Sequence, residues 1–181
     1  GPGEGKSTLA ALLAESCARL GRRTVLVDAD LRAPSQAARL DLAAETDLGA
    51  LLEGGAQLDD VLWLDPLTGV WVLPAMPSDA PRADLLADAG AGALIASLKA
   101  RYDVVIIDTP PLLAVADRCI VALRWGETER EALRAALRAV AEVGARPLGR
   151  ALTATPRRAD PRPGRRGANA RYEQFGAYFE E

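Results

Sequence analysis

The first eight residues, Gly1-Pro2-Gly3-Glu4-Gly5-Lys6-Ser7-Thr8, combine glycines with a lysine and two hydroxyl side chains. Glycines at positions 3 and 5 let backbone amides turn toward an anion with no Cβ in the way. A helix that begins near Lys6 adds its N-terminal dipole and its free N–H groups. The pattern predicts a phosphate-binding loop, although the first glycine of the general GxxxxGK[ST] pattern would lie one position before Gly1.

Each polar side chain of this loop has a predicted role with a nucleoside triphosphate. Lys6 brings a full positive charge to the β- and γ-phosphates, the Ser7 hydroxyl suits Mg²⁺, and Thr8 can bond on the α-phosphate side. The alternative is a glycine-rich turn that binds no ligand. The amphipathic helix that directly follows the loop argues against this alternative. We therefore expect ATP and Mg²⁺ as ligands. The remaining predicted nucleotide-binding residues are Gly3, Glu4 and Gly5.

Two acidic elements follow predicted strands. Residues 23–28 (RTVLVD) and 103–108 (DVVIID) are short apolar runs bounded by charge, as expected of buried parallel strands. Asp28 and Asp30 lie on the same side if the first strand continues, and such a pair suits a metal ion or a proton acceptor. Asp108 ends the second run, where an aspartate can hold Mg²⁺ directly or through water. The alternatives are a polar turn that caps the next helix for the first pair and an ordinary turn residue for Asp108.

The elements that must position these residues alternate along the chain. Residues 7–20 are predicted as a helix with Leu9, Leu13 and Leu20 on one face, and Gly21 is a natural stop. Further strands are expected at 70–73, 119–123 and 148–152, and further helices at 83–100 and 127–143. This order predicts an α/β fold with a doubly wound, mainly parallel sheet and flanking helices, which binds ligands at the carboxyl ends of its strands. The strand that normally precedes a phosphate loop is missing from this sequence.

Composition narrows the classes of function. The chain has 181 residues, 49% of them apolar, which is enough for one domain with a core. A net charge of −3 gives no electrostatic case for nucleic-acid binding, and the absence of His excludes His-based metal sites and His general bases. No apolar run approaches the roughly 20 residues that a membrane span needs. Cys17 and Cys119 are isolated, as expected of reduced residues in a cytosolic protein.

The last part of the chain differs in composition from the rest. We expect an α/β domain that carries the phosphate-binding loop, truncated at its N-terminus, over residues 1–155 and a flexible tail over residues 156–181. The tail begins as an arginine-rich linker without periodicity and ends in RYEQFGAYFEE, which carries Tyr172 and Tyr178.

Four motifs together carry a family resemblance. GPGEGKST, VLVDADLRAP, YDVVIIDTPP and RWGET, in this order and spacing, resemble the bacterial tyrosine kinases of capsule and exopolysaccharide synthesis, with a deviant Walker A motif. The resemblance covers about residues 1–150, and VDADLR is its most specific part. It implies a cytoplasmic kinase domain at the inner face of the plasma membrane, fused to or activated by a membrane polysaccharide co-polymerase. It also implies a homo-oligomeric ring that autophosphorylates in trans on C-terminal tyrosines.

The resemblance also implies roles for individual residues. Lys6 would act on the phosphates during catalysis, and Asp28 would accept the proton of the tyrosine hydroxyl. The implied metal ligands are Ser7, Asp30 and Asp108. Tyr172 and Tyr178 would be the phosphate acceptors.

Two other functions stay open. A partition or septum-site ATPase shares this type of loop, but its signature lysine, written KGGxGK, falls at Gly1 here and is absent. A catalytically degenerate nucleotide-binding regulatory module is the second alternative. The missing first strand favours it. The chain also departs from the kinase pattern in being about a dozen residues short between Asp117 and Cys119 and in having only two tyrosines in its tail cluster.

Overall fold

A computed structural model of the chain describes residues 5–77, 85, 89–109, 118–124, 126, 128–142 and 146–153. Helices and strands alternate along this part of the chain. The helices are α1 (Lys6–Arg19), α2 (Gln36–Arg39), α3 (Leu48–Leu52), α4 (Leu58–Val61), α5 (Ala89–Arg101) and α6 (Arg130–Glu142). The strands are β1 (Thr24–Asp28), β2 (Trp63–Leu64), β3 (Trp71–Leu73), β4 (Val104–Asp108), β5 (Arg118–Arg124) and β6 (Arg146–Thr153).

The strands form two sheets. A four-stranded sheet has the order β2-β3-β1-β4, and β5 and β6 form a separate parallel pair. β1 pairs in parallel with β3 and with β4, whereas β2 pairs antiparallel with β3 at the sheet edge. The predicted α/β class with a mainly parallel sheet is confirmed. The two-residue β2 was not predicted, because a strand that short has no readable alternation.

The larger sheet buries both of its faces, as a doubly wound fold requires. Val25 and Val27 of β1 pack with Leu48, Val61 and Leu98 from α3, α4 and α5. Leu26, which points to the opposite face, packs with Ala14 of α1 and with Val72 of β3. The period-two alternation along β1 therefore sends successive side chains into two different core clusters.

The buried face of α1 is built from alanines, so the prediction of a leucine face from Leu9 to Leu20 is wrong. Ala14 is fully buried, and its neighbours Ala10, Ala11 and Ala18 pack against the same cluster. Small side chains let the helix approach β1 and β4 closely. Leu20 lies just beyond the last helical residue and is 79% exposed.

The smaller sheet carries α6 on one face. The predicted amphipathic pattern of this helix is confirmed in part: Leu133, Leu137 and Val140 are half-buried, whereas Arg130, Arg134 and Arg138 are exposed. No residue of α6 is fully buried. None of the helices described here is long and apolar enough to cross a membrane.

The two leucines Leu26 and Leu20 give a direct test of this packing. We expect Leu26→Ala to lower the free energy of unfolding by about 2–5 kcal/mol, since Leu26 is only 1% exposed and truncation leaves a cavity. Leu20→Ala should change it by less than about 0.5 kcal/mol, as for other surface substitutions. Urea unfolding of both variants measures the difference. Equal losses would mean that Leu20 belongs to the core after all.

Candidate functional site

The site is organised by the pairing of β1 with β4. The two strands run in register from Thr24 opposite Val104 to Asp28 opposite Asp108. Because neighbouring strands lie about 4.8 Å apart, the two aspartates are side by side where both strands end. Asp28 and Asp108 therefore lie at the same edge of the sheet.

An ion pair holds the opposite end of the same two strands. The Arg23 guanidinium donates to Asp103 Oδ1 at 3.0 Å, and the Arg23 backbone N donates to Asp103 Oδ2 at 2.9 Å. The Asp103 backbone N in turn donates to the Arg23 carbonyl at 2.9 Å. These contacts align β1 and β4 at their start, so that both reach their terminal aspartate at the same level.

Asp28 is fully buried, and backbone amides surround its carboxylate. Oδ2 accepts from the backbone N of Ser35 and of Gln36, each at 2.9 Å, and Oδ1 accepts from the Asp30 backbone N at 3.3 Å. Burial raises the pKa of Asp28 to about 6, and the negative charge of Asp108 also acts upward, while the amide hydrogen bonds oppose the rise. A carboxylate with such a pKa can bind and release a proton near neutral pH.

Asp108 is 4% exposed and is held by two contacts. Its Oδ2 accepts from Gln36 Nε2 at 2.7 Å, and its backbone carbonyl accepts from the Ala29 N at 2.7 Å. The second contact extends the β1–β4 ladder by one residue beyond Asp28, which fixes the backbone around both carboxylates.

Two residues of α2 that the sequence did not single out contact the first turn of α1. Gln36 Nε2 donates to the Ser7 carbonyl at 3.0 Å, and Arg39 Nη1 donates to Thr8 Oγ1 at 2.8 Å. Their spacing of three places both on one face of a helix. That spacing was the only available signal, because a single turn of helix has no periodicity from which a buried face can be read.

Asp30 stands apart from the buried pair. It is half-buried, and its Oδ1 accepts from the Ala33 backbone N at 3.1 Å, as in the polar-turn alternative. Within the described residues, no three His, Cys, Asp or Glu side chains are grouped closely enough to hold a metal ion by themselves. The assignment of Asp30 as a metal ligand stays a prediction.

The residues present fit a hydrated magnesium ion better than an all-protein metal cage. Mg²⁺ keeps several water ligands and is usually held by one or two carboxylates together with substrate phosphates. Asp108 provides a buried carboxylate, and the nearby Oε1 of Gln36 is a buried acceptor without a hydrogen-bond partner. Oxygen donors of this kind suit a hard cation and its water shell.

The phosphate-binding loop is described from Gly5 onward. Gly5 is the N-cap of α1 with φ = 75°, and its carbonyl accepts from the Leu9 backbone N at 2.9 Å. A Cβ at this position would lie 3.2 Å from Cβ and Cγ2 of Thr153, at the end of β6. The loop therefore needs glycine at this position, both for its left-handed backbone and for its close approach to β6. Lys6, Ser7 and Thr8 form the first turn of α1 as predicted.

Several predicted site residues lie outside the described part of the chain. These are Gly3 and Glu4 of the loop and both tail tyrosines, Tyr172 and Tyr178.

Residues 2–152 match the family described as the CobQ/CobB/MinD/ParA nucleotide binding domain. The chain belongs to this family. The match includes the loop at the start of α1, the carboxylate pair and the β5–β6 sheet, so the nucleotide-binding fold extends over nearly all of the described residues.

Individual relatives within the family are similar at about 30% identity. The tyrosine-protein kinase YwqD of Bacillus subtilis (strain 168) is 31% identical over 157 residues, which are 82% of this chain and 66% of YwqD. The crystal structure of the VpsO kinase domain superposes with a TM-score of 0.72 at 30% identity, covering 83% of this chain and 79% of that domain. The chain thus resembles bacterial tyrosine kinase domains and spans about two thirds of the length of YwqD.

A third likeness concerns the fold alone. The septum site-determining protein MinD of Pyrococcus horikoshii OT3, solved in complex with Mg-ADP, superposes with a TM-score of 0.71 at 24% identity. The superposition covers 83% of this chain and 65% of MinD.

Gly5→Ala tests the geometry of the loop. The left-handed conformation costs a non-glycine residue roughly 1–2 kcal/mol, and the new Cβ would press on Thr153. We expect lower stability and a severalfold loss of affinity for ADP, measured by urea unfolding and calorimetric titration. Gly21→Ala is the matched control, because Gly21 has φ = 77° but nothing within 4 Å of the added Cβ. It should lose stability and keep its ADP affinity. If both variants bound ADP equally well, Gly5 would have no special place at the nucleotide.

Proposed function

We propose that this domain binds Mg-ATP and transfers its γ-phosphoryl group to tyrosine hydroxyls. The observation that carries the proposal is the buried pair Asp28 and Asp108, tied by Gln36 to the first turn of α1. The motif residues Gly3, Gly5 and Lys6 to Thr8 support the proposal that the nucleotide binds at that turn. A proton acceptor and a candidate metal ligand then lie next to the phosphates.

Asp28 is the proposed general base. Its Oδ2 already accepts two hydrogen bonds of 2.9 Å, whereas Oδ1 accepts one longer bond of 3.3 Å. Oδ1 is therefore the atom with capacity to take the proton of an attacking tyrosine hydroxyl. Burial gives Asp28 a pKa of about 6, close to the operating pH, where a general base is most effective. Because Asp28 is fully buried, transfer also requires the surrounding segments to open to the incoming hydroxyl.

The remaining side chains hold the phosphates and the metal ion. Lys6 and the N–H groups at the start of α1 stabilise the negative charge that develops on the transferred group. The residues proposed to hold the metal ion are Ser7, Asp30 and Asp108. Bound Mg²⁺ supplies charge neutralisation at the β- and γ-phosphate oxygens.

The proposed cellular role follows from the resemblance to bacterial tyrosine kinases. YwqD is named a tyrosine-protein kinase, and MinD, which shares the fold, was solved with Mg-ADP. We propose that the domain regulates exopolysaccharide or capsule synthesis at the cytoplasmic face of the membrane, with a membrane polysaccharide co-polymerase as partner and other copies of itself in an oligomer. Tyr172 and Tyr178 are the proposed acceptors of phosphate.

Phosphotyrosine mapping tests the proposed activity. After incubation with Mg²⁺ and γ-labelled ATP, the full chain should carry label on Tyr172, Tyr178 or both. The Tyr172→Phe, Tyr178→Phe double variant should lose most of the label and keep its affinity for ADP. Lys6→Met should remain unlabelled, because the loop loses its charged phosphate ligand. Release of inorganic phosphate without any phosphotyrosine would favour a partition-type ATPase instead.

Asp28→Asn separates chemistry from binding in the same assay. Loss of a general base lowers the rate by roughly 10²–10⁴-fold and changes ground-state affinity little. Asp30→Asn is the control and should weaken Mg-dependent nucleotide binding. The reverse pattern, with binding lost in Asp28→Asn and kept in Asp30→Asn, would exchange the assignments of base and metal ligand.

A further inference from the structure

Gln36 is a fully buried amide at the start of α2, and it touches three other elements of the site. Its side-chain Nε2 donates to the Ser7 carbonyl of α1 at 3.0 Å and to Asp108 Oδ2 of β4 at 2.7 Å. Its backbone N donates to Asp28 Oδ2 of β1 at 2.9 Å. One residue thus joins both carboxylates of the site to the phosphate-binding turn, across sequence separations of 8, 29 and 72 residues.

The orientation of this amide is set by Asp108. If the amide were turned over, Oε1 rather than Nε2 would lie 2.7 Å from a carboxylate oxygen, and two acceptors would repel each other. The observed orientation gives both Nε2 hydrogens an acceptor and leaves Oε1 buried without a partner. The amide nitrogen of Gln36 is therefore fully hydrogen-bonded, whereas its amide oxygen is not.

Packing alone does not explain a glutamine at this position. A methionine of similar volume would fill the same space without burying an acceptor that lacks a partner. What distinguishes the glutamine from that methionine is the pair of hydrogen bonds that Nε2 donates, to the Ser7 carbonyl and to Asp108 Oδ2. What the amide adds beyond stability is a fixed direction for the Asp108 carboxylate.

We propose that Gln36 is a positioning residue that orients Asp108 for magnesium binding and keeps it aligned with Ser7. This inference rests on the proposed use of Mg-ATP and assigns no part of the phosphoryl transfer to Gln36. Gln36 donates to Oδ2 of Asp108 at 2.7 Å. Because the same amide holds the Ser7 carbonyl, the two candidate metal ligands from α1 and β4 keep a constant relation to each other. Partners that orient a metal ligand in this way typically account for 10- to 100-fold of metal affinity.

The test is the gain in ADP affinity on adding Mg²⁺, measured on the full chain with a fluorescent ADP in magnesium or in EDTA. Gln36→Met should leave the affinity in EDTA within about twofold of wild type and reduce the magnesium-dependent gain by about 10-fold or more. Gln57→Met, at an exposed glutamine that caps α4, is the matched control and should change neither value. An unchanged gain in Gln36→Met, or an equal loss with and without magnesium, would overturn the assignment.

A double-mutant cycle with Asp108→Asn distinguishes positioning from a general structural role. If Gln36 acts through Asp108, Gln36→Met should reduce the gain no further in the Asp108→Asn background. The same additional loss in both backgrounds would overturn the proposal. Should Gln36→Met fail to fold, Gln36→Asn keeps the amide but is one methylene too short to reach both partners. Gln36→Asn should lose part of the magnesium-dependent gain in ADP affinity and keep its affinity in EDTA. A gain equal to that of the wild type would count against the proposal.

The outcome is separable from that of the proposed kinase function. A chain without phosphotyrosine activity whose magnesium-dependent ADP binding is lost in Gln36→Met would refute the kinase and support the role of Gln36. If the chain phosphorylates tyrosine and Gln36→Met keeps the magnesium-dependent gain in ADP affinity, the kinase proposal is supported and the role of Gln36 is refuted. If wild-type ADP binding does not respond to magnesium, there is no metal ligand to position and the inference fails.

Discussion

The parallel, in-register pairing of β1 with β4 is the constraint on which the rest of the site depends. The Arg23–Asp103 contacts fix where the two strands begin, and equal strand lengths then bring Asp28 and Asp108 to the same level. A slip of one residue would send one carboxylate to the opposite face of the sheet. It would also break the bond between the Ala29 backbone N and the Asp108 carbonyl, which closes the ladder beyond Asp28.

Placing two carboxylates in a buried position has an energetic consequence. Desolvation opposes the ionised form of Asp28, and its pKa rises to about 6. Because this folded-state pKa lies above that of the unfolded chain, the protonated form favours folding, and that contribution is lost as the pH rises through about 6. The backbone amides of Ser35 and Gln36 limit this loss of stability, because they donate hydrogen bonds to Asp28 Oδ2 and so stabilise its ionised form. The burial that raises the pKa of Asp28 thus costs stability above about pH 6, and the amides in the turn into α2 reduce that cost.

The sequence predicts the strands of this fold better than it predicts the contacts of the site. The sequence predicts β1 and β4 to within one residue because each is an apolar run with charge at both ends, and α1 ends two residues before Gly21, which has a positive φ. The leucine face of α1 was wrong, because spacing alone cannot show that close approach to a sheet favours alanines over leucines. Gln36 was missed for a different reason. Its importance comes from partners in α1 and β4 that only the folded chain brings together.

The carboxyl ¹³C resonance of Asp28 reports most directly on whether the carboxylate pair is buried as described. In aspartate-labelled protein free of nucleotide and magnesium, it can be identified by its absence from Asp28→Asn. Its chemical shift should titrate with a midpoint near pH 6, above the value of about 3.9 for an aspartate in water. A midpoint near pH 4 would show that Asp28 is solvated. It would contradict the assignment of Asp28 as a base whose pKa is raised by burial beside Asp108.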